Sequence, residues 1–554
     1  MKNCLALIMA ILLILFMPSC GIIDIPDAPQ TEDEPAPSAT PQATEPPPRK
    51  GGELRVALTS PDVLNPHLTQ SRDMLNFLGL IFESPIAYDS NRKPVPSLVT
   101  SWETSPDGRL WVFDVCKNVE WHNGESLTGE DILFTLEALQ SGVLDSFYQE
   151  NIFENINIVE ANLRGGDPYS FYISLAEPSY LILDILTFPV LSKNVYQSVD
   201  NIIKISKDQF PVGTGPYLVD SDYSGEEESI KLVKNQNWWG DEPYISSVLG
   251  IKYDTNDEAR LAFQNGEVDM VDTSIIYANT RLSPMNSDHY KYLTPSFEFL
   301  AFNHNNTMLQ DNTIKKAIAY ALNRKDIISK VYLNNAETVD VPIQSKSWLY
   351  DSRYRIYDYD PKKALRLLQE EGWGDSDRDG MLDRIINEEK VDLTFSLITN
   401  SENDFRRDTV DLIAKQLEAI GIRIEVEFVS WDLMQTERLP EGEFDAILTG
   451  YNLDMVHDLR FFLHSNQIGE GLGNFMGYND PEMDQLLDNA ARAASEEDRW
   501  EAYQGIQKHL TQEMPIISLY FRTGSMLYDN RVKGINHIGE WNIYSNIKDW
   551  YLAE

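Results

Sequence analysis

An α/β fold with several domains is what this sequence predicts, on three observations. Residues 391–428 read strand, helix, strand. Val391, Leu393, Phe395 and Leu397 alternate, a helix runs to Ile420 and stops at Gly421, and Ile422, Ile424, Val426 and Phe428 alternate again. That pattern is a βαβ unit with a right-handed crossover. Second, Asp360-Pro361 and Asp480-Pro481 each supply a helix N-cap followed by an N1 proline. Third, 554 residues at 42% apolar and 24% charged suffice for about two to four domains with a substantial core.

Taken in order, the chain opens on Lys2 and an apolar run from Leu5 to Met17. The run is too short to span a bilayer and suits the core of a signal peptide. Small Ser19 and Gly21 flank Cys20, which resembles a bacterial lipobox despite Met17 where Leu is usual. That resemblance implies cleavage after residue 19 and a lipid anchor on Cys20, ordinary secretory cleavage being the alternative. Asp24 to Lys50 holds eight prolines and six acidic residues. Such a segment cannot bury a core and is expected to be a disordered linker with its ends about 30 Å apart. Cys116 is then the lone cysteine of the body, so no internal disulfide is expected there.

Glu53 to Leu58 reads as a strand, followed by Leu64-Asn65-Pro66 and a helix around Met74 to Glu83. Pro94 to Glu137 carries a turn at Ser105-Pro106-Asp107-Gly108, a strand at Leu110 to Val115, a turn at Asn123-Gly124, and a helix capped by Thr128 with Asp131 three residues on. Gly213-Thr214-Gly215-Pro216-Tyr217 is a tight bend and not a phosphate loop, since no Lys-Ser/Thr follows. Later come a strand at Phe299 to Asn303, a helix capped at Asp311 or Asn312, a strand at Phe444 to Leu448, a helix near Glu497 to Thr511 and a strand at Ile516 to Phe521. The net charge of −41 repels phosphate backbones and argues against nucleic acid.

The segment from Pro96 through Leu98, Ser101, Trp102, Glu103, Ser105, Asp107, Gly108, Val119, Trp121, His122, Gly124 and Thr128 to Asp131 closely resembles a signature of the family 5 extracellular solute-binding proteins, the peptide-binding receptors of ABC importers. Asn123 departs from the usual Asp. Gly213 to Tyr217, Asn235 to Pro243, and Gly266 with Asp269 are similar to further motifs of that family. The resemblance implies a periplasmic-binding-protein-like fold, two α/β lobes on a hinge plus an inserted domain. Lobe I would comprise 51–89, 212–297 and 519–554, the inserted domain 90–211, and the other lobe 298–518. It also implies closure on a peptide, delivery to a permease with its ATPase, action as a monomer, and no required cofactor.

Ligands in open α/β sheets bind beyond the carboxyl ends of strands. The strand ending at Leu448 runs into Thr449 to Asp454, with Phe461 seven residues on. In the family an aspartate at the place of Asp454 holds the ligand's ammonium, with Tyr451 standing where Trp is usual. A carboxylate attracts an ammonium by about 4 kcal/mol at 4 Å and an effective dielectric near 20. Trp431 could wall the cleft by stacking, and Thr214 is a further candidate; a surface aspartate and a core tryptophan are the plain alternatives. Asp375, Asp377, Asp379, Gly380 and Asp383 have calcium-loop spacing, but Ile386 stands where an EF-hand needs Glu, so a short calcium turn or a solvated acidic turn both fit. No HExxH, GxSxG, Walker A or CxxC pattern is found. A secreted hydrolase is the reading from another class, a lipid-anchored adhesion protein a third, and a non-peptide solute the variant within the family.

Overall fold

Two sheets set out the molecule, a long mixed one and a small antiparallel one. The structure, a computed structural model, describes residues 48–150, 156–205, 210–222, 229–273, 286–453, 456–469, 471, 473–540 and 542–553. The signal-peptide, linker and Cys20 expectations fall outside these. The strands used below are β1 (Glu53–Thr59), β2 (Val99–Thr104), β3 (Leu110–Val115), β4 (Ile158–Leu163), β5 (Ser170–Leu175), β6 (Tyr217–Val219), β7 (Ser229–Lys234), β8 (Ser247–Tyr253), β9 (Met270–Thr273), β10 (Ser287–Phe302), β11 (Ala336–Thr338), β12 (Thr394–Asn400), β13 (Arg423–Val429), β14 (Ala446–Asn452) and β15 (Ile516–Asp529).

The long sheet has eleven strands in the order β13-β12-β14-β10-β15-β9-β1-β8-β7-β6, with β11 against β15. β1 is parallel to β8 and β9, and β12 is parallel to β13 and β14. Between these parallel groups lie only β10 and β15, paired antiparallel along most of their length. The molecule is thus two α/β lobes sharing two long strands, as expected from the sequence.

The small sheet, in the order β2-β3-β5-β4, belongs to the inserted domain. Its hairpin turns at Ser105–Gly108, where Gly108 has φ +67° and its N–H donates to the Ser105 carbonyl at 2.8 Å. Trp111, Phe113 and Phe171 stack through its core. That core is continuous with the one built by Leu54, Phe77 and Trp550 of the first lobe. The insertion also meets the second lobe. Ser179 Oγ donates to the Ala491 carbonyl at 2.9 Å, the Tyr180 N–H to that of Ala493 at 2.7 Å, and buried Arg499 pairs with buried Asp184.

Several elements differ from the sequence reading. The first helix spans Arg72–Leu78, capped by Ser71 and ended at Gly79, not Met74 to Glu83. Val391 belongs to a separate hairpin, Asp383–Ile386 with Glu389–Asp392, because the strand breaks at Leu393. β10 begins at Ser287, twelve residues before Phe299, since its first half pairs with β15 in the other lobe. β14 continues through Thr449 to Asn452, so that stretch is strand and not loop: β10 supplies partners as far as Ser296. Phe428 is 43% exposed because β13 is the edge strand.

Candidate functional site

The pairing register locates the cleft. β14 ends at Asn452, opposite Ser296 of β10. β9, running the other way, ends at Thr273, opposite Ser525 of β15. Between these points the β10–β15 register shifts from Leu293↔Thr523 to Phe297↔Phe521. The carboxyl edges of the two lobes therefore point at each other across one short irregular segment, the position where open α/β sheets take ligands. The break is held by Thr294, whose hydroxyl donates to the Arg522 carbonyl at 3.0 Å and whose carbonyl accepts from Gln344 Nε2 at 2.8 Å. Beside it the Tyr292 ring crosses Gly524, where a Cβ would lie 2.5 Å from Tyr292 Cζ.

The first lobe's wall is ionic. Arg72, at the start of the helix Arg72–Leu78, pairs with Asp272 at 2.7 Å and Glu540 at 2.6 Å, and the Tyr292 hydroxyl donates to Asp272 at 2.6 Å. Asp73 accepts the Thr59 N–H at 2.8 Å. Two carboxylates share one guanidinium there, with Asp73 beside them. Burial, before any charge effect, pushes Asp73 up to about 6 and Glu540 up to about 7. Asp73, Asp272, Asn76 and Tyr544 line a small pocket in this wall.

The second lobe's wall carries the residues singled out from the sequence. Trp431 follows β13 behind the cap Ser430, is 40% exposed, and its N–H donates to Glu402. Tyr451 is half-buried, stacked on Phe299 and edge-on to Phe461, with its hydroxyl donating to the Gly473 carbonyl at 3.0 Å. These positions flank the ends of β13 and β14. Asp454 lies outside the described residues. Between the strands sits an ion pair the sequence did not announce: Arg406 donates to both oxygens of buried Glu298 at 2.9 and 3.2 Å and to Asn400 at 3.1 Å. Its partners are 108 residues apart, so no local spacing signals it.

Thr214 sits elsewhere. It is 1% exposed and bonds Glu83, which also accepts the indole N–H groups of Trp238 at 3.2 Å and Trp239 at 2.9 Å. Burial pushes Glu83 up to about 7. The Gly213 N–H donates to His122 Nδ1 at 3.3 Å, and His122 Nε2–H to the Gly215 carbonyl at 3.1 Å. That donor–acceptor pattern fits a neutral imidazole, and burial lowers His122 to about 4. Thr214 thus belongs to the knot that ties the inserted domain to the first lobe, away from the cleft.

In the acidic loop, carboxylate oxygens of Asp375, Asp377 and Asp383 lie within 4.8 Å of one another. Asp379 turns instead to the Met381 N–H at 2.9 Å and to Arg423. The Lys390 ammonium already stands beside two of the three, paired with Asp377 and 3.9 Å from Asp383. A divalent ion there would have to displace it.

Two facing lobes on a strand hinge, their walls lined by fixed charge, frame the cleft between them. The profile of the bacterial extracellular solute-binding proteins, family 5 (middle), matches residues 93–470, and the chain belongs to that family. It is 24% identical over 515 residues to the oligopeptide-binding protein AppA of Bacillus subtilis, covering 92% of this chain and 93% of that one. It is 26% identical over 469 residues to heme-binding protein A of Haemophilus influenzae, covering 79% and 81%. The solved structure of HbpA2 from Haemophilus parasuis superposes with a TM-score of 0.75 at 18% identity, over 91% of this chain and 100% of that one. Among the described residues no helix is long and apolar enough to cross a membrane.

Proposed function

We propose that this chain captures peptides outside the cytoplasm and hands them to an ABC permease driven by a cytoplasmic ATPase. The observation that carries the reading is the pair of opposed carboxyl edges joined in the sheet through β10 and β15. A solute bridging those edges lowers the free energy of the closed state, and only its differential affinity for that state drives closure. Membership of the family and likeness to an oligopeptide-binding relative support peptide as the cargo. Asp454 would hold its ammonium, with Tyr451 and Trp431 against its apolar parts. The chain would act as a monomer tethered by acylated Cys20 through the proline-rich segment.

A second reading within the fold is a non-peptide solute, favoured by the heme-binding relative. Native mass spectrometry of freshly purified protein decides between them by the mass of what co-purifies. Small-angle scattering with and without that compound tests closure: a smaller radius of gyration is expected with it, and an unchanged one would defeat the reading.

A further inference from the structure

We infer that the turn carrying Arg92, where the inserted domain meets the second lobe beside the hinge, is an anion subsite of the cleft that takes a carboxylate of the captured solute. This rests on the capture reading above.

Position comes first. The Asn91 carbonyl accepts the Trp348 N–H at 2.8 Å. Arg92 Nη1 donates to Gln344 Oε1 at 2.9 Å, and that same amide donates to Thr294 at the register break. His457, five residues past the end of β14, bonds Ser347 at 3.1 Å. The turn is therefore pinned between the hinge and the carboxyl edge of the second lobe. Arg92 itself has φ +60°, a left-handed conformation that L-residues rarely adopt.

Charge is the second observation. Arg92 and Arg499 both bear on His457, which burial holds neutral. The carboxylate among them, Asp184, is fully used: one oxygen takes the Tyr88 hydroxyl at 2.8 Å and the other takes Arg499. Arg499 is 1% exposed, and its buried Nε finds no acceptor. The Arg92 side chain has one hydrogen bond, to a neutral amide, and no carboxylate within ion-pair distance among the described residues. Glu540 acts on it from the first lobe's wall but is engaged by Arg72. In a chain of net charge −41, two guanidiniums here share one carboxylate. A desolvated cation without a counterion is costly, and a planar carboxylate matches the guanidinium fork.

The test uses two tripeptide pools of equal composition, one with free C-terminal carboxylates and one C-amidated. Retention is read by native mass spectrometry on the native protein, Arg92→Gln and Arg92→Lys. The native protein should retain the free-acid pool at least tenfold better. That preference should fall to near parity in Arg92→Gln and return in part in Arg92→Lys, while the Tm of Arg92→Gln stays equal to or above the native value. Equal retention of both pools by the native protein overturns the subsite and leaves peptide capture standing. If neither pool is retained, peptide capture fails and sodium acetate, titrated at constant ionic strength, decides the subsite. A Tm rise in the native protein that Arg92→Gln lacks upholds it, and no rise, or an equal one, overturns it.

Discussion

The family-signature region and the walls of the cleft use their polar residues in opposite ways. Around His122, Gly213 to Tyr217 and the Trp238-Trp239 pair, each distinctive residue has an internal partner. His122 holds Gly213 and Gly215. Asp131 accepts the Thr128 and Lys193 N–H groups, both at 2.9 Å. A Cβ on Gly213 would lie 1.9 Å from the Ile81 carbonyl. In the cleft, by contrast, charges meet from distant parts of the chain, as Arg72 does with Asp272 and Glu540. Dense motifs mark places where the backbone tolerates one residue type, whereas solute chemistry is assembled from scattered side chains.

Four measurements put this contrast to the test. Trp111, 1% exposed in the inserted sheet, should cost about 3–5 kcal/mol of stability when changed to Ala, with solute retention unchanged below the unfolding transition. An equal loss of retention would erase the division between the two regions. On the cleft side, Arg406→Met strands buried Glu298 and should cost about 3 kcal/mol. Adding Glu298→Met should restore most of it in chemical denaturation; no recovery would show that the pair does more than neutralise itself.

The third measurement is pH dependence. Glu83 is raised from 4.5 to about 7, so the native state holds a proton that the unfolded chain has released between those values. Its contribution is therefore present below pH 4.5 and lost as pH rises to 7. His122, lowered from 6.5 to about 4, contributes stability that is present above pH 6.5 and lost as pH falls to 4. The two slopes oppose each other. Glu83→Gln should gain on the native protein by about 2 kcal/mol between pH 4.5 and 7, measured as the difference in melting temperature. A difference that does not vary with pH would remove Glu83 as a titrating group. The smallest effect belongs to Asp454→Asn, expected to weaken peptide binding at least tenfold, about 1.4 kcal/mol, with no change in Tm. Unaltered affinity would withdraw Asp454 from the cleft.

Much of the fold was legible because local rules fix it. Asp311, Asp360 and Asp480 cap their helices as read, and Gly421, where the helix before β13 stops, has positive φ. Boundaries failed where a strand's extent depends on a partner far away in sequence: β10 gains twelve residues from pairing with β15. For the site, Trp431 and Tyr451 could be placed near strand ends from spacing alone. Thr214 could not, because its bend looks the same in sequence whether its hydroxyl faces a cleft or a buried carboxylate. The Glu298–Arg406 pair and the setting of Arg92 depend on chain crossings that no window of residues contains.

Hanging both lobes on two hydrogen-bonded strands has a mechanical result. Paired strands flex readily out of their own plane but resist sliding past one another, because sliding breaks the ladder of N–H···O=C bonds. Along these two strands the lobes can swing but not slide. Under the capture proposed above, each loaded molecule would offer a transporter the same two surfaces at the same relative angle, whatever the cargo, so that "full" could be read from outside without touching what is held.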